Sequence, residues 1–584
     1  MKQRQWIPIA AATYALVHRY FDDGVPEAPE PTFLSDPSAE ELAEYLDTNQ
    51  VVACDTETTS LNPRQGEILG YSFCKDFLSA AAVAFTGPDD PRWEVILEFF
   101  KDPKRKKSWQ NGSFDISFAE EKGIEMNGFV FDTRLAEQLI YSDLPSDLDF
   151  LRAQWTNIQP YKLSKREMKR TGSWHKDRML EYANWDAYTT YTVMKKQEEV
   201  LSPGQVKLMH ELLIPLVYTI SDIELRGMPV DVNALAALYV RCEPKIQEIE
   251  GHFKKFSINP RSPKQLKAFL DLKDTQEDTL KKALKRGHVK SELITLLLEH
   301  RGLAKLAGTY LEGIYNRLEN GRVHTHFKIE GTGTGRLSSE DPNLQNVPEE
   351  MRVIYVAEPD HILVRGDYKQ IELWVMAIEA EEDLLLKDLQ DGVKVHYQMA
   401  QLCYPDVPIV HGDVRDFTHN QEYAGKAVTF GTCYGRSPRS IAMEFGVSVA
   451  TAEMWQAECV TKYPKLAAYK KRCDRVYSAT GQLETKFGRI RKSMTSKQGY
   501  NFPIQSTAAD IMLRAMVLGH QKGLKLCLTV HDELVYQVPL ARYNEQTKLI
   551  KSTMEHKVPE LLNMSFKVDY ETGRNWYEME KEEL

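Results

Sequence analysis

The sequence predicts a multidomain chain, α/β in its first part and α+β in its last, and three observations carry that reading. At 584 residues it exceeds what one core holds, since single hydrophobic cores rarely grow past about 250 to 300 residues. Residues 51–191 mix short β-rich runs (VVACDTE, EILGYSFC, AAAVAF) with helical stretches, as a central sheet with flanking helices does. Two later β-like runs, 362–366 and 524–530, bracket a long and mainly helical section, the pattern of one sheet domain with a helical insertion. Between these parts, residues 202–320 are charged and helix-periodic and read as a helical domain, with the Gly/Thr-rich segment 331–335 as a loop beyond its far end.

Composition narrows the class without fixing the substrate. With 42% hydrophobic and 27% charged residues and no low-complexity tract, the chain is an ordinary globular one. The apolar stretch 7–17 is interrupted by Pro8 and Thr13 and falls short of the roughly 20 residues of a membrane span, so no membrane partner is expected. Eight scattered cysteines without zinc-ligand spacing read as free thiols of a reducing, cytoplasmic compartment. A net charge of −10 does not advertise a nucleic-acid binder. Basic runs at 101–107, 162–170, 281–290 and 465–475 are either phosphate-facing surfaces or solvated helix faces.

The first acidic constellation opens in VVACDTETTSL. Asp55 and Glu57 lie two apart at the end of an apolar run, so on a strand both project to one face. Two like charges repel there, and a divalent cation turns the pair into a site able to polarise a phosphodiester. A lone Asp-x-Glu is more often a strand end entering a polar loop. Two further elements follow in order: Asn111, Phe114 and Asp115 in WQNGSFDISF, then Tyr182 and Asp186, four apart, in LEYANWDAYTTY. The three motifs together resemble the proofreading exonuclease family. That resemblance implies Asp55, Glu57, Asp115 and Asp186 as ligands of two divalent ions (Mg2+, Mn2+ or Zn2+). It also implies that Tyr182 orients the attacking water and that Leu61 and Phe114 flank the 3′-terminal nucleotide.

The second constellation starts at Asp367 in ILVRGDYKQIELWVMA, directly after an apolar run and before a helical one. His531, Asp532 and Glu533 sit between two apolar runs in LKLCLTVHDELVYQV, as at a hairpin turn. If the two strands are neighbours, Asp367 and Asp532 converge and can hold two magnesium ions for in-line nucleotidyl transfer. Between them, in EYAGKAVTFGTCYGR, Glu422, Lys426, Phe430 and Tyr434 recur every four residues and form one drifting helical stripe. Such a stripe is either core packing or a surface that offers a cation and aromatic faces to a nucleotide.

DYKQIEL, KAVTFGTCYG and VHDELVYQV resemble the three polymerase motifs of the DNA polymerase I family, also called family A. IELRGMPVD, NPRSPKQL, TGRLSSEDPNLQNVP, ETKFGRIR and NFPIQSTAADIM match its connecting segments, in the correct order over residues 51–536. The resemblance implies a ribonuclease H-like 3′→5′ exonuclease domain over 1–200, with an N-terminal extension over 1–48. It implies a helical thumb with its connecting segment over 201–325, then a palm over 326–584 with fingers inserted at 378–520. It makes Asp367 and Asp532 magnesium ligands and Glu533 an accessory acid. Lys426 contacts the incoming phosphates, Phe430 packs on the nucleotide, Tyr434 lies near the template base, and Glu372 excludes the ribose 2′-hydroxyl. Arg336, Gln345, Asn346, Gln505 and His531 line the primer–template and insertion site, and Arg352 is a further basic position there. Phe430, where tyrosine admits dideoxynucleotides in related enzymes, implies poor chain termination.

Departures from the family pattern are Glu422 in place of an arginine, Lys369 for serine, Trp374 for arginine and Lys497 for arginine. Arg415 and Arg436 are candidates to replace the missing cation at 422. Glu372 and the His-Asp-Glu triplet argue against a single-subunit RNA polymerase. Intact Asp367, Lys426 and Asp532 argue against an exonuclease with a degenerate polymerase half or a non-catalytic scaffold. The expected partners are primer–template DNA, deoxynucleoside triphosphates and replisome proteins such as a helicase–primase and a single-strand binding protein. The stretch before Asp55 is too short for the 5′-nuclease domain of bacterial repair members, and this plan resembles bacteriophage-encoded polymerases, which act in viral replication in the host cytoplasm.

Overall fold

A computed structural model describes residues 30–161 apart from position 88, then 176–405 and 421–584. The apolar stretch 7–17, the basic run 162–170 and Arg415 lie outside the described residues.

Apolar, β-branched and small residues build the first sheet from β1 (Thr32–Ser35), β2 (Val52–Thr58), β3 (Ile68–Cys74), β4 (Ser79–Ala84), β5 (Lys107–Trp109) and β6 (Phe129–Asp132). Their order is β1-β4-β3-β2-β5-β6. Strand β3 runs antiparallel to β2 and β4, while the other neighbours pair in parallel. Buried Val52, Ala53 and Cys54 hold β2 in the middle of this sheet and leave its end to carry polar residues outward. Helix α1 (Gly112–Glu121) follows β5, and the long α2 (Lys176–Glu198) packs across β1 to β4.

Three helices lead onward: α3 (Ile214–Arg226), α4 (Val232–Lys254) and α5 (Ser291–Ala304). Gly227, at φ +61°, ends α3 in a conformation that L side chains rarely adopt, and a Cβ there would lie 2.6 Å from His324 Nδ1. The Asp231 side chain accepts from the amides of Asn233 and Ala234 and so starts α4. Helix α3 packs on both α1 and the later helix Ser496–Gln521, and one continuous apolar core runs from the first sheet into the last. The tip of the helical region has its own small core, built on Ile249, Phe253, Leu266, Leu270, Leu280, Ile294 and Leu297.

The second large sheet is antiparallel throughout. It contains β7 (His361–Tyr368), β8 (Leu526–Val530), β9 (Glu533–Pro539), β10 (Val568–Gly573) and β11 (Met579–Glu582), in the order β8-β9-β7-β10-β11. Helices α6 (Ile371–Ala380), α7 (Gln421–Cys433) and α8 (Ser496–Gln521) belong to the section between β7 and β8, and α6 packs on α8. Asp367 lies inside β7, not after it, because the β9 ladder extends to Asp367 and the β10 ladder to Tyr368.

Some members of the three described basic runs have partners within the protein. Lys107 is 2% exposed and donates to the carbonyls of Phe100 and Asp102. Lys281 pairs with Glu277, Lys290 donates to the Phe269 carbonyl, Lys465 pairs with Asp383 and Arg472 with Glu381. All eight cysteines are free and buried.

Candidate active sites

The first centre forms where β2 meets α1 and α2. Asp55 and Glu57 alternate with buried Cys54 and Thr56 along β2, so both face the same side. Asp115, 3% exposed on α1, lies against Thr56. Asp186 and Tyr182 share one face of α2, and Asp186 is 5% exposed. Burial, followed by the charges of Asp186, Asp55 and Glu57, pushes the Tyr182 phenol far above its ordinary range, which places all three acids around one ring. Tyr161, which the sequence reading did not select, donates to Asp186 Oδ1 at 2.6 Å and stacks on Trp185 at 5.7 Å. Leu61 is 87% exposed beside this end of β2, and Phe114 packs on Phe118 at 4.9 Å.

Burial raises the Asp115 carboxyl to about 7, and its Oδ1 is buried without a hydrogen bond. An orphaned carboxylate oxygen among other acids suits a divalent cation. Among the described residues no three His, Cys, Asp or Glu side chains close a metal cage. An open set of oxygens is what a hard cation uses when water and phosphate complete its shell.

The second centre sits at one end of the β7–β9 pair. Asp367 faces Glu533 across one ladder and Asp569 across the other, and the Tyr368 amide donates to the Asp532 carbonyl at 3.3 Å. The sequence-selected acids of 367, 532 and 533 are therefore brought together. His531 makes the bend between β8 and β9 at φ +54° and is exposed. Asp367 is solvent-accessible at the end of its strand. Partial desolvation, then the charges of Glu533 and Asp532, raise it to about 7. Asp532 is also raised, chiefly by desolvation, against the pull of Arg336 and Lys426.

Guanidinium groups frame these acids. Arg336 Nη2 reaches Glu372 at 2.7 Å and Asp532 at 3.5 Å, and the Tyr434 hydroxyl donates to the other oxygen of Glu372 at 2.9 Å. Arg352 lies 3.8 Å from Glu533 and 4.3 Å over the Trp576 ring, while Trp576 Nε1 donates to Glu533 at 2.6 Å. Arg365 approaches Glu533 at 3.7 Å and pairs with Glu571. On α7, Lys426 is exposed, and the rings of Phe430 and Tyr434 stack at 5.6 Å. Gln345 Nε2 donates to the Thr529 carbonyl at 3.4 Å, the Asn346 carbonyl accepts from Tyr310, and Gln505 is half-buried on α8.

Two of the family departures have local partners. Lys369 pairs with Asp569 at 2.6 Å, and Trp374 is buried edge-on to Phe566. Lys497 is exposed at the start of α8. Arg436, the described candidate to replace the cation at position 422, pairs with Glu444 and donates to Ser440. Asp569, Arg365 and Trp576 escaped the sequence reading because strand register and the C-terminal segment, not a local motif, bring them to the acids.

Residues 232–578 match the model of DNA polymerase family A, and residues 32–202 match a 3′-5′ exonuclease model. The chain belongs to DNA polymerase family A. The thermostable DNA polymerase I of Thermus filiformis is 32% identical over 421 residues, which cover 65% of this chain and 50% of that one. The DNA polymerase I of Synechocystis is 29% identical over 92% of this chain and 61% of its own length. That of Bacillus subtilis is 29% identical over 83% and 59%. The chain thus spans half to under two thirds of these relatives. The POL domain of Pol1 from M. smegmatis, solved with a DNA primer-template and dNTP, shares the fold at TM-score 0.80. It is 22% identical, with 94% of this chain and 99% of that one covered. The order is a mixed α/β exonuclease-type unit followed by a polymerase-type unit. Among the described residues no helix is long and apolar enough to cross a membrane.

Proposed function

We propose that this chain is a template-directed DNA polymerase that extends a primer 3′ end with deoxynucleotides and corrects it with its own 3′→5′ exonuclease. The observation that carries the reading is the meeting of Asp367, Asp532 and Glu533 at one sheet end, with Lys426 close enough to pull on Asp532, in a family A chain. Asp367 and Asp532 would hold magnesium, which supplies charge neutralisation at the transferring phosphate and acidifies the primer hydroxyl. Lys426 faces the triphosphate, and the Phe430–Tyr434 stack offers a surface to the incoming base. Glu372, fixed between Arg336 and Tyr434, crowds the sugar position against a 2′-hydroxyl. Gln345, Asn346, Gln505, His531 and Arg352 line the primer–template side.

At the other centre Asp55, Glu57, Asp115 and Asp186 would hold divalent ions (Mg2+, Mn2+ or Zn2+), Tyr182 orients water, and Leu61 and Phe114 flank the terminal nucleotide. The exonuclease, thumb, and palm-with-fingers divisions at 1–200, 201–325 and 326–584 belong to the same reading. On the resemblance to bacteriophage enzymes, its setting is viral DNA replication in host cytoplasm, beside a helicase–primase and a single-strand binding protein.

The test is extension of a long primed single strand by the purified chain, with magnesium or chelator and with a matched or mismatched 3′ end. Magnesium-dependent extension, with mismatch removal preceding it, is expected. No extension under any of these conditions would sink the reading.

A further inference from the structure

Arg336 reaches its two acids from the loop 330–336, whose glycines at 331, 333 and 335 cannot fix a guanidinium on their own. What fixes the loop comes from the exonuclease unit. Gln138, on the helix Thr133–Ile140, is 6% exposed, and its Nε2 donates to the carbonyls of Ile329 at 3.4 Å and Thr332 at 3.2 Å. Its Oε1 accepts from Arg489 Nη1 at 3.3 Å. An amide suits this place because it presents donors at one end and an acceptor at the other.

Arg489 is itself immobilised by fully buried Asp510, with Nε at 2.9 Å and Nη2 at 2.8 Å. It lies flat on the loop, since a Cβ at Gly335 would come within 2.6 Å of its Cζ. Inside the loop the Thr332 carbonyl, held by Gln138, also accepts from the Gly335 amide at 3.2 Å, and the Thr332 hydroxyl donates to the Arg336 carbonyl at 2.8 Å. The residue that Gln138 grips is therefore the residue that grips Arg336. Two flanking ion pairs, Arg134–Glu330 at 2.6 Å and Arg491–Asp143 at 2.8 Å, join the same surfaces.

We propose that Gln138 is a positioning residue for the polymerase centre: from the exonuclease unit it holds the 330–336 loop so that Arg336 stays on Glu372 and Asp532. This rests on the polymerase reading above. Because Arg336 anchors Glu372, loosening the loop impairs sugar discrimination as well as rate, which general destabilisation would not do.

The experiment uses the full chain with Gln138→Met, which keeps the volume and removes both hydrogen-bonding ends. Extension with deoxy- and ribonucleotides is measured beside digestion of a labelled single strand. The kcat of extension should fall by about tenfold and the deoxy-over-ribo preference by about five- to tenfold, with the primer–template KM moving less than about twofold and digestion unchanged. Gly335→Ala, which disturbs the loop from its other side, should give the same pattern. Unchanged extension and preference in Gln138→Met would overturn the inference, as would a parallel fall in digestion and extension with the preference intact. Absence of extension by the unaltered chain would overturn the polymerase reading and this inference with it, an outcome distinct from the other two.

Discussion

The two acidic centres of this chain are built from different material. At the first centre one strand and two helices supply all four acids, and the phenols of Tyr161 and Tyr182 lie among them. At the second centre the acids come from neighbouring strands and the bend between β8 and β9, and Arg336, Arg352 and Arg365 reach Asp532 and Glu533. A phenol donates a hydrogen bond and brings no charge, whereas a guanidinium brings a charge that does not titrate. Both centres nevertheless leave one carboxyl raised to about 7, Asp115 in the first and Asp367 in the second. Fixed arginines thus relieve part of the repulsion and still leave room for a divalent cation to relieve the rest.

The strongest way to break this comparison is to remove one acid at a time. Asp532→Ala should lower extension by about a thousandfold or more and spare digestion of single-stranded 3′ ends, and Asp55→Ala should do the reverse. Loss of both activities in either variant would merge the two centres into one. Next in size, Glu372→Ala removes the acid shared by Arg336 and Tyr434, and the preference for deoxy- over ribonucleotides should fall by about a hundredfold. A preference within twofold of the unaltered chain, measured by single-nucleotide competition, would show that the sugar is sorted elsewhere.

The phenolic side of the comparison is sharpened by Tyr161→Phe. It removes a 2.6 Å donor to Asp186, and digestion should slow by about tenfold, the size of one charge-assisted hydrogen bond, with extension untouched. An unaltered digestion rate would make Tyr161 a packing residue. The smallest effect concerns pH. Asp367 and Asp115 both have folded values raised to about 7, so without metal each contributes stability below its ordinary value near 3.8 that is lost as pH rises through about 7. The melting temperature in chelator should decline from pH 5 to 8, and the increment from magnesium should grow over the same window. An increment flat across that range would show that protons and cations do not compete for these acids.

How much of this was legible in the sequence depends on the distance over which each contact forms. The pairing of Asp367 with the 531–533 bend could be read because each acid sits on its own apolar run, and Asp55, Glu57, Tyr182 and Asp186 could be read from spacings of two and four. Residues drawn in by register could not: Asp569 faces Asp367 only because β10 lies on the far side of β7, and Trp576 meets Glu533 from the C-terminal segment. Gln138 was invisible for the same reason, since its partners lie about 190 residues away on a separate unit. Charge runs misled where burial decided. Lys107 belongs to a run of bases yet packs inside, its ammonium over the Phe99 ring and its hydrogens on two carbonyls.

The two-residue link between Val530 and Glu533 bears on how this chain can change over evolutionary time. Side chains alternate across a ladder, so one inserted residue before Glu533 would turn every following position of β9 to the opposite side and carry Glu533 away from Arg352, Arg365 and Trp576. His531 already takes a left-handed conformation that few residues other than glycine adopt. This corner of the molecule can neither lose Asp532 nor gain length, so natural or engineered insertions should be absent from it.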